Sequence, residues 1–120
     1  MKTVLFAWEH GGGFGHIANL GRFAALLKRH EIRPVFVLKH PEAAHLLETD
    51  AEILQAPPWP VSASDENSFR STATMHDQLA SAGMADEHDL RSLLQSWDGL
   101  LKTIAPDLVV ADSAPAASMM

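Results

Sequence analysis

FAWEHGGGFGHIAN, residues 6–19, is the stretch whose reading decides the fold. An apolar run ends at Glu9 and His10, three glycines follow, and a fourth, Gly15, stands directly before His16. Upstream, TVLFAW at 3–8 is apolar and β-branched throughout, the pattern of a strand buried on both faces. Downstream, Ile17, Leu20, Phe23, Ala24 and Leu27 recur at helical spacing, with Arg22, Lys28 and Arg29 off that stripe. The spacing predicts an amphipathic helix over 16–30. A tight turn between two such elements uses glycine for positive φ, or to let a backbone or ligand approach without a Cβ in the way. The following helix start adds unpaired N–H groups and partial positive charge. Gly11, Gly12, Gly13 and Gly15 are therefore candidate substrate-binding positions, suited to a phosphate or another anion.

Further along, Pro34 opens a second apolar run, VFVL at 35–38, and Pro41 can head a short helix through Glu48. A weaker strand is expected at 52–56. APPWPVSASDENS at 56–68 is rich in Pro and Ser, lacks periodicity and reads as a loop. Thr74 to Ala82 suggests a short helix stopped by Gly83. The clearest helix carries Leu90, Leu93, Leu94, Trp97, Leu100, Leu101 and Ile104 on one face, with Asp86 as N-cap and Pro106 as terminator. DLVVAD at 107–112 reads as another buried strand, and DSAP at 112–115 as a helix start with Pro in its first turn. Strands alternating with helices predict one Rossmann-like α/β domain over 1–120, a parallel sheet with helices on both faces. The last helix spans barely one turn, so the domain is expected to be truncated.

Composition narrows the function classes. The net charge of −6 and the lack of a basic stripe argue against nucleic acid as a partner. With 0 cysteines, disulfides and thiolate metal sites are excluded, which agrees with a cytoplasmic location. The apolar run at the N-terminus is too short for a signal peptide or a bilayer span, so no integral membrane segment is expected.

Three readings of the glycine turn stand open. It can be a purely structural connection. It can be a relaxed dinucleotide fingerprint, since Gly13-x-Gly15-x-x-Ala18 fits G-x-G-x-x-A. That form wants an acidic ribose ligand at the end of the second strand, where Lys39 and His40 stand instead. Or His16 is the point of the motif. In a sheet of order 3-2-1-4, ligands bind where the order reverses, between the strand at 3–8 and the strand at 107–111. That topology brings His16 and Asp112, 96 positions apart, to one crevice. An imidazole with a carboxylate on its other nitrogen is an activated general base. Asp112 as a plain N-cap of the last helix is the simpler alternative.

GGGFGHIANLGRFAALLKRH, RPVFVLKHP and PDLVVADSAPAA together resemble the N-terminal domain of GT-B glycosyltransferases, of the UDP-glycosyltransferase and MurG-like group. The resemblance covers essentially the whole chain. It implies an acceptor-binding domain that faces a nucleotide-sugar-binding domain across a cleft, with inverting transfer and no cofactor. His16 would be the base and Asp112 its support, with a small-molecule or lipid acceptor. Two departures are plain. Many relatives have Pro three positions after the His, where this chain has Asn19, a further candidate substrate-binding residue, and the donor-binding C-terminal domain is expected to be missing. The resemblance thus implies that the nucleotide sugar is bound mainly by that missing domain or by a separate chain, and that this chain alone is inactive. A noncatalytic binding or scaffold subunit, or less closely a nicotinamide-dependent oxidoreductase domain, is the alternative.

Trp59, between prolines, is either a stacking surface for substrate or a half-buried anchor. Phe69, Met75 and Met84 are candidates to line the same pocket. Glu9 and His10 stand at the strand's carboxyl end, His10 as a substrate contact and reserve base. Trp97 belongs to the core. His40 and His45 are five apart, not the helical spacing of a metal pair, and with His76 and His88 they read as surface residues, so no metal site is expected.

Overall fold

The structure is a computed structural model that describes residues 1–47, 49–59, 74 and 79–120, with Ser81 and Ala82 described in backbone only. Strand β1 (Lys2–Trp8) leads through the glycine turn into α1 (Gly15–Leu27), which tightens to a 3-10 turn over Lys28–His30. Strand β2 (Ile32–Leu38), a 3-10 segment (Pro41–Leu47) and β3 (Glu52–Gln55) follow. A short π-helical segment (Ala80–Met84) precedes α2 (Glu87–Ile104), β4 (Leu108–Ala111) and α3 (Pro115–Ser118). The strands form one all-parallel sheet of order β3-β2-β1-β4. The Rossmann-like α/β topology and its reversal between β1 and β4 match the reading of the sequence.

Parallel strands need crossover connections, and these cover the two faces with different residues of β1. Val4, Phe6 and Trp8 pack with Ile17 and Leu20 of α1, Phe36 and Leu38 of β2 and Ala43. Leu5 and Ala7 face the other way, with Val37, Leu93 and Trp97 of α2, and Ala116 and Ala117 of α3. The period-2 alternation of β1 thus splits an unbroken apolar run between two cores. Phe6 stacks on Phe36 across the β1–β2 pair, ring centroids 4.9 Å apart, in the register Lys2↔Ile32 to Trp8↔Leu38.

Helix boundaries follow local chemistry. Asp86 Oδ1 accepts from Asp89 N–H at 2.9 Å, the expected N-cap, worth about 1 kcal/mol. At the other end Ala105 takes a left-handed conformation (φ 49) ahead of Pro106. Gly83, at φ 99, interrupts the helical run before α2, as its place in the sequence predicts. Residues 75–78 of the expected helix at 74–82 lie outside the described residues, as do Glu48 and most of the 56–68 loop.

The strand at 107–112 departs from expectation. β4 pairs with β1 alone, from Val4↔Leu108 to Ala7↔Ala111, and is an edge rather than a buried strand. Leu108 is 51% and Val109 37% exposed. Its apolar composition predicts burial on both faces; instead it borders an open groove lined by Leu101, Pro106, Val109, Ala117 and Met120.

Candidate functional site at the β1–β4 switch point

The glycine turn carries β1 into α1 with two residues in the left-handed region, Gly11 at φ 96 and Gly13 at φ 80. Gly11 has a second requirement. A Cβ built there would stand 2.7 Å from Nε2 of His16 and 3.5 Å from Oγ of Ser113. A Cβ at Gly12, Gly13 or Gly15 would meet nothing within 4 Å, so among the described residues nothing crowds the rest of the turn. Phe14, 61% exposed, occupies the N-cap of α1, no side chain caps that helix, and its first turn has no acidic residue.

His16 enters on the first turn of α1 and lies beside the buried Trp8, ring centroids 5.9 Å apart. Its Nδ1 is 3.1 Å from Oδ1 of Asp112, just past β4. Both side chains are about a quarter exposed, 28% and 27%. A carboxylate only accepts, so a neutral His16 places its proton on Nδ1 and leaves the lone pair on Nε2. Among the described residues no hydrogen bond engages Nε2. Asn19, one turn further along α1, donates from Nδ2 to Oδ2 of the same carboxylate at 3.0 Å. The two residues that sequence reading paired across 96 positions are thus brought into contact. Asp112 does not cap the last helix: the N-cap there is Ala114, with no side-chain cap of its own.

That duty falls to Glu9. Its Oε1 accepts from Ala116 N–H at 3.0 Å and from Trp59 Nε1–H at 2.9 Å, and its Oε2 accepts from Ala117 N–H at 3.0 Å. Glu9 is 3% exposed. Burial pushes its carboxyl above the ordinary value, while the N–H groups of Ala117 and Ala116 and the indole pull it back down. The backbone closes the same junction: Ser113, at φ 53, accepts on its carbonyl from His10 N–H at 3.0 Å and Glu9 N–H at 3.3 Å.

Trp59 is a half-buried anchor, held by Glu9 and stacked on the His10 ring at 4.2 Å with 14° between the planes. His10 therefore stands beside the site as one half of an aromatic pair. Desolvation holds its pKa below the ordinary histidine value, helped by the positive charge of Lys39 and by His16. Among the described residues no carboxylate forms an ion pair with His10, which separates it from His16 as a candidate base. Lys39, at the end of β2, donates to the Gly11 carbonyl at 3.1 Å and ties the second strand end to the turn. Sequence reading used Lys39 only as an argument against a ribose ligand and gave Ser113 no role at the site; both lie at strand ends next to the switch point, where topology could have found them.

Of the other residues, His40 lies edge-on to Trp8, ring centroids 5.5 Å apart. His40 pairs with Glu42 at 3.3 Å, and His45 contacts the Glu42 carbonyl at 2.9 Å. Met84 packs into the α2-side core, and Trp97 is fully buried. Phe69, Met75 and His76 lie outside the described residues. Asp86, His88 and Asp89 bring ligand atoms within 4.8 Å of one another at the surface, where Asp86 is engaged as the cap of α2. No helix among the described residues is long and apolar enough to cross a membrane. No protein-family model, curated protein or solved structure matches the chain.

Proposed function

We propose that this chain is the acceptor-binding half of an inverting glycosyltransferase, with His16 as general base and Asp112 as its partner. The observation that carries the reading is the 3.1 Å contact between His16 Nδ1 and Asp112 Oδ1 at the switch point, which leaves Nε2, packed against Gly11, without a hydrogen bond among the described residues. An acceptor hydroxyl that reaches Nε2 gives its proton to that nitrogen as its oxygen attacks the anomeric carbon. The bond from that carbon to the nucleotide diphosphate breaks, its electrons leave with the diphosphate, and the configuration inverts. Positive charge then rests on the imidazole, next to the Asp112 carboxylate. Gly12, Gly13 and Gly15 leave room for the acceptor or for donor phosphates, while Trp59 and His10 wall one side. The donor is held mainly by a further domain or by a separate chain, and the acceptor is a small molecule or a lipid.

The test is nucleotide diphosphate release from a panel of nucleotide sugars, in the presence of hydroxyl acceptors and the donor-binding partner. His16→Ala should lower transfer roughly 10²–10⁴-fold, the usual contribution of a general base, while leaving the fold intact. Transfer at the wild-type rate in that variant would overturn His16 as base and favour a noncatalytic binding subunit.

A further inference from the structure

Asn19 bears on how Asp112 is held, and this rests on the reading of His16 as base. Two residues of α1, three positions apart and so on one face of the helix, reach the same carboxylate from different sides. His16 meets Oδ1 at 3.1 Å and Asn19 Nδ2 meets Oδ2 at 3.0 Å. We infer that Asn19 is a positioning residue: its amide fixes the Asp112 carboxylate plane so that Oδ1 faces His16 Nδ1, and thereby sets the imidazole tautomer.

The physical case has two parts. Asp112 is about a quarter exposed and follows an edge strand, so among the described residues no strand on β4's outer side holds its side chain. A second donor on Oδ2 removes the rotation that would otherwise exchange the two oxygens or turn both to water. With Oδ2 occupied by the amide, Oδ1 is the oxygen left to accept from His16 Nδ1–H. That geometry asks for the proton of a neutral imidazole on Nδ1, with Nε2 left as the base. The amide orientation follows from the chemistry, since only its NH2 can face an acceptor-only carboxylate.

The test needs no substrate. With 15N-labelled protein, at a pH where His16 is neutral, the ring nitrogen shifts give the ratio of Nδ1–H to Nε2–H tautomers. Wild type should be almost entirely Nδ1–H. Asn19→Leu, a good helix former at an exposed position, should lower that ratio about fivefold, the equilibrium effect of losing one ordinary hydrogen bond. Asn19→Gln keeps the donor on a longer stem and should restore part of it. An unchanged ratio in a folded Asn19→Leu protein would overturn the role of Asn19 and leave the His16–Asp112 pair standing. A wild-type His16 that is mainly Nε2–H would overturn the pair itself, and Asn19 with it.

Discussion

Glu9 and Asp112 stand just beyond the carboxyl ends of two neighbouring parallel strands, and each serves the helix that follows the other's strand. Glu9, after β1, caps α3 beyond β4; Asp112, after β4, meets His16 and Asn19 on α1 beyond β1. Their surroundings differ sharply. Glu9 is buried and accepts from two backbone amides and an indole, whereas Asp112 is partly open and faces an imidazole and an amide side chain. One acid's hydrogen bonds hold the junction together; the other's orient a titratable ring beside free space. Chain position alone does not separate such roles. Burial and the nature of the donors do.

The largest expected effect on stability is at the buried acid. Glu9→Ala leaves two α3 amides and the Trp59 indole without their acceptor, and should lower unfolding free energy by about 2–3 kcal/mol. Chemical denaturation measures this, and a loss within experimental error would mean that α3 and Trp59 do not depend on Glu9. Gly11→Ala comes next, at about 1–2 kcal/mol, because it combines a left-handed φ with a Cβ pressed onto His16 Nε2. Gly12→Ala, with free space around its Cβ, should stay within roughly 0.5 kcal/mol. Equal losses at the two glycines would break the distinction drawn between them. Asp112→Asn should also cost at most about 0.5 kcal/mol in stability, since its surroundings are partly solvated, yet it should slow transfer. A stability loss matching that of Glu9→Ala would erase the contrast between the two acids.

The pH dependence sharpens the same contrast. The Glu9 carboxyl is raised in the folded protein, chiefly by burial, so the native state binds its proton more readily than the unfolded chain does. Its contribution to stability is complete below the ordinary carboxylate range and is lost as pH rises through the raised value. Denaturation midpoints across that window should fall more steeply for wild type than for Glu9→Gln. Parallel curves would show that Glu9 titrates normally.

The sequence made the inner part of this fold legible and its rim less so. The unbroken run of β1, the 3.6-residue stripe of α2 and the Asp86 cap each reflect one dominant local cause: burial, periodicity and a side-chain acceptor. β4 misled because Leu108, Val109 and Val110 have the composition of a buried strand, whereas exposure depends on what lies beside them, which composition does not encode. The pairing of His16 with Asp112 followed from strand order, a topological rule that ties distant residues together. The sequence places Glu9 only at the carboxyl end of β1, because two of its three partners are backbone amides over 100 positions away, and amides carry no sequence signal. Asn19 stands in the sequence as a departure at the turn; only side-chain geometry links it to Asp112.

The central claim is that His16 and Asp112 act as one unit. A double-mutant cycle on the transfer rate tests it most directly, using His16→Ala, Asp112→Asn and their combination in the presence of the donor-binding partner. If the pair is a unit, the double variant should be no slower than His16→Ala alone, because a carboxylate with no imidazole to orient contributes nothing further. If Asp112→Asn slows the His16→Ala protein by the same factor as it slows wild type, the two residues act independently and the account is wrong.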